Sequence, residues 1–159
     1  MDFCDESGPL ADGNNGKSRR VYQQDIRSKY SSWFAVIDFA THLQTNFIDL
    51  PTVPAAQQNR FGGASHGIAV TADQKTLLVN SSRNSALYAY SLPDLTLLGG
   101  AALGGKGANW LTISPDDKTA YVANPQTNDV SVVDIKSLKE VARIPVGFAP
   151  SRNTAWVAP

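Results

Sequence analysis

Cysteine is nearly absent from this chain. Cys4 stands alone, so no intrachain disulfide can form, and no second thiol lies beside it at metal-ligand spacing. Histidine is scarce too. His42 and His66 are the only two, fewer than the three or four ligands a metal site asks of one chain. Neither sign of charge is in excess, with 14 Lys plus Arg against 14 Asp plus Glu. Nucleic acid and anionic membrane surfaces therefore lose their usual electrostatic basis as partners. No basic run carries interleaved aromatics, and no apolar run is long enough to span a bilayer. The opening residues, MDFCDESGPLADGNNG, lack a basic segment followed by an apolar one and do not read as a signal peptide.

Short strand patterns separated by turns are abundant. The clearest stretch is residues 113–147, ISPDDKTAYVANPQTNDVSVVDIKSLKEVARIPVG. Ser114 to Lys118 is a turn by chemistry, because Pro115 presets φ and the Asp side chains bond their own backbone. Thr119 to Ala123 is rich in β-formers. A polar turn follows, and then Val130 to Ile135 forms a second strand. Lys136 to Lys139 turns again. Glu140 to Val146 alternates polar and apolar, as a half-buried outer strand does, and Pro145 suits an edge position.

The stretch is repeated. Shifted by 43 positions, His66 to Gly104 lies over Asn109 to Gly147 without a gap. Asp73 meets Asp116, Lys75 meets Lys118, Thr76 meets Thr119, Val79 meets Val122, Leu95 meets Leu138 and Gly104 meets Gly147. A period of about 40–45 residues built from short strands is the signature of propeller blades.

Tyr121-Val122-Ala123-Asn124, with SPDDK before it and NDVSVVD and IPVGFAP after it, resembles the YVTN-type β-propeller repeat. The first copy departs from that pattern at Leu78-Val79-Asn80-Ser81 and at Ala72. The resemblance implies an all-β chain of four-stranded antiparallel blades, related to WD40-like repeats. It implies a periplasmic or extracellular location. It does not imply an activity, because members share blades and not a reaction.

In chain order, residues 1–32 read as a poorly ordered leader or part of a degenerate blade. Within them, Val21-Tyr22 is a strand candidate and residues 25–32 are a loop or short helix. Residues 33–159 read as blades: a partial one at 33–52, whole ones at 65–104 and 108–147, and the start of another at 153–159. Residues 51–63 form a long connection. Roughly three blades cannot close a ring of four to eight. The expectation is therefore either a piece of a longer propeller or chains that associate through open blade edges.

In a propeller the first strand of each blade lines the channel, and the loops leading into these strands crowd one mouth. The repeat sets His66, Asn109 and either Arg152 or Asn153 at matching places there. These four are the candidate ligand-binding residues, since convergent polar groups at a concave mouth define a site. The blander reading is that His66 bonds a neighbouring carbonyl and fixes blade packing. Asp73, Asp116 and Asp117 sit in repeated hairpin turns, which assigns them to turn structure over acid–base work. Asp38 and Asp134 end matching strands and cap turns. The Gly99 to Gly107 run lacks the Lys-Ser/Thr ending and helix of a phosphate loop and reads as an inter-blade connection. Trp33, Trp110 and Trp156 are read as packing between blades.

The resulting expectation is a binding or scaffold module without catalysis of its own. It has no metal and no cofactor, and takes an unknown small molecule or protein at the channel mouth. The alternative is part of a propeller enzyme, a lactone hydrolase or a quinoprotein or haem-type oxidoreductase. There His66 would carry protons and Arg152 would clamp an anion.

Overall fold

The computed structural model of the chain describes residues 10–11, 19–24, 33–62 and 66–156. Within these residues the chain is all-β, in three antiparallel sheets of four strands. The first holds β1 (Leu10–Ala11), β2 (Arg19–Gln24), β3 (Trp33–Asp38) and β4 (Gln44–Asp49). The second holds β5 (Ile68–Val70), β6 (Thr76–Ser81), β7 (Ala86–Ser91) and β8 (Leu97–Ala102). The third holds β9 (Leu111–Ile113), β10 (Thr119–Asn124), β11 (Asp129–Asp134) and β12 (Lys139–Pro145). Each sheet is a meander whose strand order follows the chain. One turn of 3-10 helix, Ala55–Gln57, lies in the connection from the first sheet to the second. No helix among the described residues is long and apolar enough to cross a membrane.

The repeat is visible in the backbone. β6 pairs with β7 from Thr76↔Ser91 to Ser81↔Ala86, and β10 pairs with β11 from Thr119↔Asp134 to Asn124↔Asp129. All three sheets carry a bulge between third and fourth strands, at Val36/Ile37, Ala89/Tyr90 and Val132/Val133. Left-handed residues recur 43 positions apart: Gln74 and Asp117 (φ 59 and 57), Ser85 and Asn128 (47 and 58), Leu95 and Leu138 (57 and 50). Conserving turn geometry fixes register, so each strand keeps the same side chains on the same face.

The first sheet is more complete than the sequence alone suggests. β2 contains Val21 and Tyr22 and pairs with β3 from Arg20↔Asp38 to Gln24↔Phe34. β1 adds a short outer partner to β2. The rest of the expected leader, and the loop or helix expected at 25–32, lie outside the described residues.

The sheets pack face to face around two apolar layers. Between the first and second lie Phe34, Val36 and Leu50 against Leu77, Val79, Tyr88 and Tyr90. Between the second and third lie Leu78, Leu87, Ala89, Ala101 and Leu103 against Ala108, Leu111, Ala120, Val122 and Val133. Leu78 and Leu87 are fully buried, and each contributes about 1.5–3 kcal/mol by leaving water. Successive residues of one strand serve opposite layers: Leu77 and Val79 one, Leu78 the other. A continuous apolar run such as Leu77-Leu78-Val79 is what a strand covered on both faces requires.

Candidate functional site

The connections into β5 and β9, and residues 151–153, gather at one end of the sheets. The turns between second and third strands, residues 82–85 and 125–128, share that end. Hydrogen bonds tie these segments together: Leu103 N donates to Ser85 O (2.8 Å), Gln126 N to Lys106 O (3.2 Å), and Lys106 N to the Thr127 side-chain Oγ1 (3.0 Å).

His66 and Asn109 precede equivalent inner strands, and the structure brings them together. His66 N donates to Asn109 O at 3.2 Å. Asn109 N in turn donates to Ala123 O at 3.0 Å, which holds it against β10. Arg152 is exposed, with its guanidinium carbon 4.9 Å from the centroid of the Trp110 ring. A cation over an indole face is held electrostatically and remains open to solvent on its other side. Asn153 Nδ2 donates to Tyr121 O at 2.9 Å, and its Oδ1 is buried without a hydrogen-bond partner.

The half-buried His66 imidazole is held below its usual pKa, first by burial and second by the positive charge of Arg152. Both causes disfavour the imidazolium. This end of the sheets therefore carries a neutral ring beside a cation displayed on an aromatic shelf.

Two buried asparagines that the sequence reading passed over lie at this end, and one of them holds Asn109. Asn80 is fully buried. Its Nδ2 donates to Asn109 O at 2.7 Å, and its Oδ1 accepts from Gly67 N at 3.2 Å. It clips the two inner-strand approaches together beneath His66. Asn124, the last residue of the Tyr121-Val122-Ala123-Asn124 motif, is also fully buried. It donates to Asp129 Oδ1 (2.8 Å) and Ser131 Oγ (2.7 Å), while its own Oδ1 has no partner. An amide inside an otherwise apolar strand was the available signal, since such a group is tolerated only when bonded.

The long connection after β4 crosses this end of the molecule. Asn59 N donates to Arg83 O (2.7 Å), and Gln58 Oε1 accepts from Arg83 Nε (2.8 Å). Further on, Asn59 Nδ2 donates to Gln126 Oε1 (3.0 Å) and Gln126 Nε2 to Phe61 O (2.8 Å). The strap thus reaches the second sheet and the third.

At the opposite end the acidic residues close turns. Asp73 Oδ1 accepts from Thr71 Oγ1 (2.6 Å) and Lys75 N (3.0 Å), and Asp116 Oδ1 from Ser114 Oγ (2.6 Å) and Lys118 N (3.2 Å). Asp38 and Asp134 accept in the same way from Thr41 and Ser137. Asp117 instead bridges two sheets, accepting from Ala72 N (2.8 Å) and Asp73 N (3.2 Å). His42 sits in the β3–β4 turn, at this end of its sheet and away from His66. Gly99 to Ala102 belong to β8, so only the residues after Ala102 form the connection that the Gly-rich run suggested. Trp156, read from sequence as packing between blades, is 78 % exposed.

No family model matches the chain, and no curated protein matches it. Among solved structures, hydrazine synthase of Kuenenia stuttgartiensis is similar, with a TM-score of 0.65 and 20 % identity. The match covers 92 % of this chain and 38 % of the hydrazine synthase chain. At that identity the likeness is one of fold. With the three face-packed sheets it makes the chain an array of β-propeller blades.

Proposed function

We propose that this chain is a YVTN-type propeller segment acting as a binding module, with its ligand or partner site at the mouth formed by His66, Asn109, Arg152 and Asn153. The observation that carries the reading is the join of two successive inner-strand approaches, His66 N to Asn109 O, directly beside a displayed guanidinium. A guanidinium open on one side favours an anionic group, carboxylate or phosphate. Catalysis is not part of this reading: among the described residues, a displayed cation is the feature next to the imidazole.

The imidazole itself is the probe. An anion held at Arg152 offsets the charge that depresses His66, so inorganic phosphate raises the His66 titration midpoint toward 6.5, followed by NMR. Arg152→Ala raises the midpoint slightly by itself and abolishes the response to phosphate. If phosphate leaves the wild-type midpoint where it was, and Arg152→Ala alters melting temperature alone, the binding reading is lost.

A second reading takes the same mouth as part of a propeller enzyme. The fold match to hydrazine synthase, an enzyme by name, favours it. His66 would then carry a proton and Arg152 would clamp an anion, with the remaining groups supplied from elsewhere.

A further inference from the structure

The chain's charges cancel, 14 against 14, but the fold sorts them by end. At the end away from His66 the turn lysines sit beside acids. Lys118 Nζ lies 3.4 Å from Asp116 Oδ2, and Lys75 and Lys136 are close enough to Asp73 and Asp134 to act on them electrostatically.

The His66 end is built differently. Its described connecting segments, residues 50–62, 82–85, 103–110, 125–128 and 146–153, contain four cations and no Asp or Glu. Arg60, Lys106 and Arg152 are exposed, and no carboxylate among the described residues lies within ion-pair distance of them. The acids that reach this end come from strands and are partly engaged. Asp129 Oδ2 lies 3.3 Å from Arg143 Nη1, and Glu140 Oε2 accepts from Gly104 N at 3.0 Å. Asp49 ends β4, on the first sheet. A molecule of zero net charge thus presents uncompensated positive charge at one end, which draws anions there.

Hydrogen bonds set the places of these cations. Arg60 lies between Asn59 and Phe61, which both bond the Gln126 carboxamide, and Gln126 N donates to Lys106 O (3.2 Å). Lys106 N is itself bonded to Thr127 Oγ1 (3.0 Å). Arg60 and Lys106 are therefore tied to one another through Gln126. The connection that carries Lys106 runs on to Trp110, the shelf beneath Arg152.

We infer that the mouth takes a compact ligand bearing two or more anionic groups, one group at Arg152 and the others at Lys106 and Arg60. This rests on the anion-binding reading of the same mouth and narrows its class from a single anion to a polyvalent one. The number of cations limits the size of the ligand. Three exposed cations fall short of the about six to ten phosphate contacts of a nucleic-acid footprint. Each also stands alone on its segment, with no Lys or Arg next to it in sequence.

Isothermal titration calorimetry at low, constant ionic strength compares orthophosphate, tripolyphosphate and citrate. Tripolyphosphate or citrate is expected to bind about tenfold more tightly than orthophosphate, because separated cations act together only on linked charges. The tighter of the two tells phosphate from carboxylate as the group selected. Lys106→Gln and Arg60→Gln bring that affinity down toward the orthophosphate value, while the phosphate-induced rise of the His66 midpoint persists. Lys75→Gln makes the same change in net charge at the other end and leaves the affinity unchanged. All three positions are exposed, so melting temperatures stay near wild type. Polyvalent anions that bind no more tightly than orthophosphate, with the His66 response intact, overturn this inference and spare the binding reading. Loss of every response overturns both. Equal losses from Lys75→Gln and Lys106→Gln would reduce the effect to net charge. A single-stranded oligonucleotide bound more tightly than tripolyphosphate would make this end a nucleic-acid surface. Either of these results also overturns the inference.

Discussion

At the scale of single residues, the polar atoms that lack partners say most. Tyr90 Oη is buried between the first two sheets with no partner, while its ring stands edge-on to Phe34 at 5.2 Å. Burial, and then the neighbouring Tyr88, push its phenol up to about 12. The unfolded chain releases that proton near 10. Since the folded state holds the proton longer, stability falls as pH rises from about 10 to about 12. Tyr90→Phe removes an unsatisfied hydroxyl and keeps the ring. Stability near neutral pH should be unchanged or up to about 1 kcal/mol higher, and the loss between pH 10 and 12 should flatten. Urea unfolding at pH 9 and pH 11 measures both, and equal pH slopes for the two proteins would refute the assignment. The turn aspartates behave in the opposite sense. Asp73, Asp116 and Asp134 are held below 3.8, first by hydroxyls of Thr71, Ser114 and Ser137, so their contribution is lost only as pH falls through that value and below.

At the scale of elements, the inner strands depend on close backbone approach. A Cβ at Gly67 would lie 2.8 Å from Asn80 Cγ and 2.9 Å from Leu111 N. The side chain is itself bonded in place and the backbone amide opens β9, so neither yields cheaply. Gly67→Ala should cost about 1–3 kcal/mol and separate His66 from Asn109, read as a lower melting temperature together with faster exchange of the His66 amide. A variant with wild-type stability would show that the two strands can part freely. The same elements explain what was legible in the sequence. Strand positions, turn chemistry and the His66–Asn109 equivalence follow from a 43-residue period and the apolar alternation. Gly67, Asn80 and Asn124 were not legible as a set, because Gly67 and Asn80 meet the next sheet at Leu111 and Asn109 while Asn124 bonds within its own, and the repeat sets Asn80 over Ala123. β2 was only faintly legible. Arg19–Gln24 is mostly polar, and its place comes from pairing with the strongly apolar β3.

At the scale of the whole molecule, the middle sheet has apolar layers on both faces and the third on one. Amide exchange should follow that asymmetry. β6 and β7 should be the slowest and β12 markedly faster. Equal protection of β7 and β12 would contradict a layered array. Repeat arrays normally couple each unit to its immediate neighbours alone. The strap of residues 51–62 breaks that rule, because Asn59 and Phe61, leaving the first sheet, bond Gln126 of the third. Loosening either terminal sector then takes support from the other without passing through the centre, and the three units have reason to melt together instead of peeling away one by one.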